Sequence, residues 1–248
     1  MTLPAIFLAH GAPDLPLSQT PARGFTETIG ARFPGLRAVL VISAHWEARK
    51  PTLGTAASPE TIYDFGGFDD RLYSMKYPAH TSAEVIAEVA ALHEAAGLSP
   101  AQDPQRGYDH GVWIPMMLAF PKADVPVIQL SLRRGATPAE NFAMGQALAP
   151  LRDKGVLIVG SGATVHNLRA LAREGSAAPD WARAFDEWIV TGVESGDVDR
   201  LLRFPTEPSQ ARQAHPTPEH LMPLYVALGA GAVRARCCTA AFRGGQSA

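Results

Sequence analysis

The sequence predicts an α/β fold in which helices flank a mostly parallel central sheet, giving three layers. Four short apolar runs are continuous rather than alternating: Ala5–Ala9, Ala38–Ser43, Val125–Leu130 and Val156–Val159. Continuous runs of this length are typical of parallel strands that are buried on both faces. Segments with helical periodicity lie between the runs, and this alternation of strands and helices favours a parallel sheet.

Apolar residues recur at helical spacing in three segments, which are Ser82–Ala96, Ala139–Leu151 and Trp181–Val193. A fourth helix is predicted to begin near Pro218, because Thr217 is a suitable N-cap and proline fits the first helical position. In that arrangement, Glu219 and His220 occupy the first turn of the last helix. A long aromatic-rich stretch, Gly54–Pro78, lacks periodicity, and loops of that length usually have a function.

The composition indicates an ordinary globular protein. The 248 residues include 22 Lys and Arg against 24 Asp and Glu, which argues against a nucleic-acid partner. Hydrophobic residues make up 46% of the chain, but no apolar run approaches the roughly 20 residues of a membrane helix. Since the first residues carry no basic region and no linker interrupts the chain, we expect a single cytoplasmic domain, residues 1–248.

Two adjacent cysteines, Cys237 and Cys238, are the only ones in the sequence. They cannot build a disulfide framework, which fits a reducing compartment. They lie in an apolar run, Ala232–Phe242, that predicts a terminal strand with both thiols in the core.

Histidines follow three of the four predicted strands. His10 comes directly after the first strand, His45 two residues after the second, and His166 shortly after the fourth. Parallel strands bring their carboxyl ends to one edge of the sheet, where α/β proteins bind ligands. We therefore expect these imidazoles to meet, and neutral imidazole is a good ligand for zinc and iron.

Two further histidines are candidates for the same site. His110 lies in a turn, where Asp109 is predicted to orient a nearby imidazole, and His220 follows Glu219. The role of His215 stays open, because it equally well stiffens the turn before the last helix. We predict surface or core positions without a site role for two others, His80 and His93.

Several common enzyme classes are excluded by missing motifs. The sequence lacks HExxH, which argues against a zincin, and G-x-S-x-G, which argues against an α/β-hydrolase. A glycine-rich dinucleotide fingerprint after the first strand is also missing.

Eight short motifs occur in a recognisable order, at residues 7–13, 41–46, 64–68, 77–79, 109–111, 125–131, 165–169 and 216–220. From about residue 4 to about residue 230, the chain resembles the DODA-type extradiol aromatic ring-opening dioxygenases, a branch of the class III, LigB-like superfamily. The resemblance implies cleavage of a catechol, DOPA- or caffeate-like, by O2 to a muconic semialdehyde-type product. It suggests a monomer or small homo-oligomer with no nucleic-acid or membrane partner.

The resemblance also implies roles for the histidines. It assigns a non-haem Fe(II) to His10, His45 and His220, with Glu219 as the competing last ligand and Zn(II) as a possible occupant of the purified protein. His166 matches the active-site base, which also reaches the metal when zinc is bound. His110 matches a further acid or base.

Three aromatic residues of the long loop, Tyr63, Phe65 and Phe68, are predicted to line the substrate pocket. A loop packed by its own aromatic side chains is an equal alternative.

Other functions compete with the dioxygenase. Tetrapyrrole metal chelatases also begin with a strand followed by His-Gly, but they do not share the motifs at residues 64–68 and 216–220. A zinc hydrolase would use the same histidine cluster on another substrate. A non-catalytic member of the superfamily would keep the fold but lose the histidines, and here they are all present.

Overall fold

The computed structural model describes residues 2–171 and 176–231. The predicted terminal strand Ala232–Phe242, with Cys237 and Cys238, lies outside these residues. The strands of the described part are β1 Ala5–Ala9, β2 Ala38–Ser43, β3 Glu47–Ala48, β4 Thr52–Gly54, β5 Ala101–Asp103, β6 Val127–Gln129, β7 Leu132–Arg133 and β8 Val156–Gly162. The α-helices are α1 Pro21–Glu27, α2 Ile29–Arg32, α3 Ala83–Ala95, α4 His110–Ala119, α5 Pro138–Leu148, α6 Asp180–Ser195, α7 Val198–Leu202, α8 Ala211–Ala214 and α9 Met222–Ala230.

The central sheet has four strands in the order β1-β8-β2-β6, and every neighbouring pair is parallel. The pairing puts Leu8 opposite Ser161, and Ser161 opposite Ser43. The carboxyl ends of β1, β8 and β2 therefore lie side by side. Two short parallel pairs, β3-β7 and β4-β5, accompany this sheet.

Both faces of the sheet are covered, which explains the continuous hydrophobicity of its strands. Along β2, Leu40 and Ile42 pack into one hydrophobic cluster, which also contains buried residues of α3, α5, α6 and α9. Val39 and Val41 point to the opposite cluster, where they meet α4. Side chains alternate across a strand, so a doubly covered strand needs apolar residues at every position. The predicted α/β fold with flanking helices is thus confirmed.

The structure confirms most predicted elements with small changes at their ends. The first two strands match in full, and Ser82 accepts a hydrogen bond from Val85 N at the start of α3. The segment predicted as Ala139–Leu151 becomes α5 followed by a 3-10 helix, Ala149–Lys154. Helix α4 was not predicted as such, since its apolar residues occur at nearly every position and show no helical period.

The predicted start of the last helix at Pro218 is wrong. Helix α9 begins at Met222, with Pro223 in its first turn, so Glu219 and His220 belong to the preceding turn. The carbonyl of His220 accepts a hydrogen bond from Ala163 N (2.9 Å), just beyond the end of β8. This tertiary contact fixes the turn at the edge of the sheet, and helix α9 begins only after it.

The helices of residues 2–171 and 176–231 include none with the length and apolarity needed to span a bilayer.

Candidate active site

Three histidines from distant parts of the chain meet at the carboxyl edge of the sheet. His45 Nε2 lies 3.1 Å from His10 Nε2 and 3.3 Å from His220 Nε2. The residues His10 and His220 are almost fully buried, at 3% and 5% exposure. Nitrogens that share one metal ion at about 2.1 Å lie about 3 to 3.4 Å apart, so each of these two pairs has the spacing of two ligands of one ion.

The backbone around the three rings explains how they come so close. His10 N donates to Gly162 O (3.1 Å), which continues the β1-β8 pairing by one residue. A Cβ on Gly162 would lie 2.1 Å from His220 O, so only glycine lets the turn approach β8. The turn that carries His220 is therefore packed directly against the end of the strand beside His10.

Hydrogen bonds to the other ring nitrogens fix the tautomers. Ser161 Oγ donates its only proton to Gly111 O, so it accepts from His10 Nδ1–H at 3.0 Å. His220 Nδ1–H donates to Glu219 Oε1 at 2.9 Å. The Nε2 atoms of His10 and His220 thus carry lone pairs, and both face His45 Nε2. Two imidazole lone pairs that converge beside a third ring nitrogen form the kind of donor set that binds a cation.

Electrostatics favour the neutral form of His10 and His45 and the charged form of Glu219. Burial, with the neighbouring histidines, lowers the pKa of His10 well below its ordinary value and that of His45 to about 2. Burial alone would raise the pKa of Glu219, but the hydrogen bonds from His220, the backbone and Thr217, with the charge of His220, together outweigh burial and lower this pKa to about 2. Neutral imidazoles are the form that binds a metal.

A fourth histidine, His110, lies beside the group and is held by a residue that was not predicted to act on it. Asp64 Oδ1 accepts hydrogen bonds from His110 N and from His110 Nδ1, both at 2.9 Å. The ring centroid of His110 is 3.9 Å from that of His45. Asp64 belongs to the motif at residues 64–68, but a carboxylate in a loop without periodicity gives no sequence signal of its partner.

The prediction that Asp109 orients an imidazole is wrong. This fully buried carboxylate accepts hydrogen bonds from Ser43 Oγ (2.7 Å), Gln129 Nε2 (2.6 Å) and Arg106 Nη2 (2.7 Å). It joins the ends of β2 and β6 beneath the histidines. Although Asp109 is adjacent to His110 in sequence, its side chain points into the sheet rather than toward the ring.

The remaining predicted residues lie around this centre. The His166 ring stacks on that of His220, with centroids 3.4 Å apart. Phe65 contacts the His110 ring edge-on at 5.7 Å and also contacts Phe68. Tyr63 packs on Phe65 and donates to Met75 O (2.7 Å), so the loop is packed by its own aromatics and also reaches the site through Phe65.

The other three histidines lie away from the cluster or support it. His215 is buried, and its Nε2 donates to Thr164 O (2.8 Å), which favours the stiffening role. His93 is buried in α3 and His80 is exposed, in agreement with their predicted lack of a site role.

Comparison with known proteins agrees with the motif order. The model of the family described as the catalytic LigB subunit of aromatic ring-opening dioxygenase matches residues 4–241. The chain belongs to the LigB family. Members of this family are metal-dependent ring-cleaving dioxygenases, so the histidine cluster is a fitting place for the metal.

Curated relatives and a solved structure lead to the same LigB assignment. The chain is 40% identical over 230 residues to a 4,5-DOPA dioxygenase extradiol of Beta vulgaris, covering 90% of this chain and 85% of the relative. It is 36% identical to a protein of the same name from Escherichia coli strain K12, covering 92% and 85%. The crystal structure of an uncharacterized protein from Escherichia coli K12 superposes with a TM-score of 0.76 at 31% identity, covering 92% and 88%.

Proposed function

We propose that this LigB-family chain is an Fe(II)-dependent extradiol dioxygenase that opens the ring of a side-chain-bearing catechol, DOPA- or caffeate-like, to a muconic semialdehyde-type product. The observation that supports it most directly is the convergence of three Nε2 atoms, two of which are fixed as lone-pair donors. The similarity to two proteins named 4,5-DOPA dioxygenase extradiol supports the extradiol reaction and a DOPA-like substrate.

The proposed ligands are His10, His45 and His220. Glu219 is the poorer candidate for the last position, because its Oε1 already accepts from His220 Nδ1 and Thr217 Oγ1 (3.0 Å). A carboxylate that orients a ligating histidine in this way raises the basicity of the ring. Since all three ligands are neutral, the positive charge of a divalent ion remains available to attract an anionic catecholate.

Iron(II) bound there would supply chelation of the two catechol oxygens and an electron path between the catecholate and O2. The residues around it supply proton transfer. Burial is the main reason that the pKa of His166 is lowered, to about 4, so its imidazole is neutral near pH 7 and has a lone pair for a phenolic proton. His166 is therefore proposed as the base that binding of the catechol requires.

His110 is proposed to accept the second phenolic proton at Nε2 and to return it to the substrate as the ring opens. Its Nδ1 proton is engaged by Asp64, so Nε2 is the atom that exchanges a proton with the substrate. Phe65, in contact with the His110 ring, is proposed to form a wall of the pocket together with Phe68 and Tyr63. An apolar wall excludes water and positions an aromatic ring.

Zinc is the natural competitor for a site of this kind. Zn(II) binds nitrogen ligands more strongly than Fe(II), but it has no redox chemistry. We therefore expect zinc-loaded protein to bind a catechol without consuming O2. The zinc-loaded protein is therefore a control that has the same amino-acid sequence and differs only in its metal.

The test is to load metal-free protein anaerobically with Fe(II), add DOPA or caffeate, and admit air while recording O2 uptake and absorbance. We expect equimolar consumption of O2 and catechol with a yellow semialdehyde product. His80→Ala is the matched control, because this histidine is exposed and lies outside the site. Colour formation no faster than in His166→Ala, for every catechol tried, would overturn the proposal.

A further inference from the structure

The carboxylate of Asp64 links the long aromatic loop to the site. Its Oδ1 accepts from both the backbone N–H and the ring Nδ1–H of His110, which is the first residue of α4. One oxygen atom thus caps the start of a helix and holds the ring of that same residue. The two bonds at one acceptor fix the imidazole relative to its own backbone.

The ring that Asp64 holds lies within the histidine cluster. A ring nitrogen of His110 lies within 4.8 Å of ring nitrogens of His10 and His45, and only 8% of the His110 side chain is exposed. Rotation of this ring would move its free nitrogen away from any substrate bound at the cluster. A fixed orientation therefore matters to proton exchange at this position.

The contact of Asp64 with His45 is of a different kind. Its Oδ2 lies 3.7 Å from His45 Nδ1, which is too long for a hydrogen bond. Asp64 consequently acts on His110 by direct hydrogen bonds and leaves the orientation of His45 to other contacts. Removal of Asp64 should affect proton transfer far more than metal binding.

We propose that Asp64 is a positioning residue that keeps the proton of His110 on Nδ1 and the ring in one orientation, so that Nε2 exchanges a proton with the catechol. The inference rests on the proposed function for its catalytic consequence. Its structural half, the tautomer and orientation of His110, stands on the hydrogen bonds alone.

Two substitutions separate positioning from a simple helix cap. In Asp64→Asn the amide oxygen accepts the same two hydrogen bonds without the charge, so we expect kcat to fall about tenfold. In Asp64→Ala both bonds are lost, and we expect kcat to fall roughly 10²-fold with KM within about threefold of the parent value. Iron content should stay equal in all variants. Asp69→Asn is the control, since Asp69 caps a 3-10 helix of the same loop through Arg71 N.

A double-mutant cycle with His110→Ala decides whether Asp64 acts through His110. If it does, neither Asp64 substitution lowers kcat more than about twofold further in the His110→Ala background. Equal losses in both backgrounds, or loss of iron from Asp64→Asn, would overturn the inference.

A second measurement needs no turnover. In ¹⁵N-histidine-labelled, metal-free protein, long-range ¹H–¹⁵N correlations report which ring nitrogen of His110 carries the proton. We expect Nδ1–H in the parent and in Asp64→Asn, and a mixture of tautomers in Asp64→Ala. A parent protein with the proton on Nε2 would contradict the inference, whereas inactivity of iron-loaded parent with this tautomer intact would contradict only the proposed function.

Discussion

The imidazole of His166 lies face to face with that of His220, with ring centroids 3.4 Å apart and planes inclined by 9°. The His220 ring is itself fixed by its hydrogen bond to Glu219. A proposed base therefore rests on a proposed ligand whose orientation is set by a carboxylate. Replacing His166 with another flat ring therefore separates its chemical role from its packing role.

Replacing His166 with phenylalanine keeps a flat ring on His220 but removes the proton acceptor. We expect kcat on a catechol to fall roughly 10²- to 10⁴-fold, the usual contribution of a general base. Iron content, measured by mass spectrometry of the loaded protein, should match that of the parent. If His166→Phe instead fails to retain iron, His166 is a ligand rather than a base.

Substitutions at residues 219 and 220 test which of them binds the metal. We expect His220→Ala to lose stoichiometric metal, because it removes one of three converging nitrogens. Glu219→Ala should retain metal with an affinity about 10- to 100-fold lower, since it removes only the partner of His220 Nδ1. Titration of metal-free protein with Fe(II) or Zn(II) gives both values. Metal retained by His220→Ala and lost from Glu219→Ala would reverse the assignment.

The meeting of His10 and His45 could be predicted from sequence because it follows from topology. Each residue comes at the end of a continuous apolar run, and parallel strands share an edge. That His220 joins these histidines was predicted only from the family resemblance. Its predicted position in the first turn of the last helix was wrong. Pro218 and Pro223 both fit a helix start, and the hydrogen bond from Ala163 to the His220 carbonyl, a contact between distant residues, favours the later one.

The carboxylate partner of His110 could not be predicted, for a related reason. Sequence adjacency favoured Asp109, yet successive residues at a helix start point in different directions. Asp109 turns toward Ser43 and Gln129, and the position beside the ring is filled by Asp64, from 46 residues away. The hydrogen-bond partners of loop carboxylates depend on tertiary packing, which hydrophobic periodicity does not encode.

Gly111 should be needed for the position of His45. A Cβ at Gly111 would lie 2.5 Å from Ser43 Oγ and 3.0 Å from His45 Cδ2, and Ser43 is held in place by Asp109. We expect Gly111→Ala to displace the His45 ring, to weaken metal binding about tenfold, and to cost about 1 to 3 kcal/mol in the free energy of unfolding. Gly24→Ala is the matched control, because a Cβ there meets nothing within 4 Å. Unchanged metal affinity in Gly111→Ala would show that the position of the His45 ring does not depend on the close contact with Gly111.

Buried His93 should make the fold sensitive to mild acid. Its side chain has no exposure, its Nδ1 donates to Val89 O (3.0 Å), and among the described residues its Nε2 has no partner. Burial lowers the pKa of His93, so the unfolded chain binds this proton more readily than the folded one. The stabilisation is therefore complete above the unfolded-state pKa of about 6.5 and is lost as the pH falls below it.

Urea unfolding of metal-free protein between pH 7.5 and pH 5.5 measures this effect. One such histidine contributes a slope of at most about 1.4 kcal/mol per pH unit to the free energy of unfolding. We expect His93→Leu to show a shallower loss of stability with acid than the parent, while His80→Gln, at an exposed position, keeps the parent slope. Parallel pH dependences for the parent and His93→Leu would mean that the buried ring is protonated equally in the folded and unfolded states.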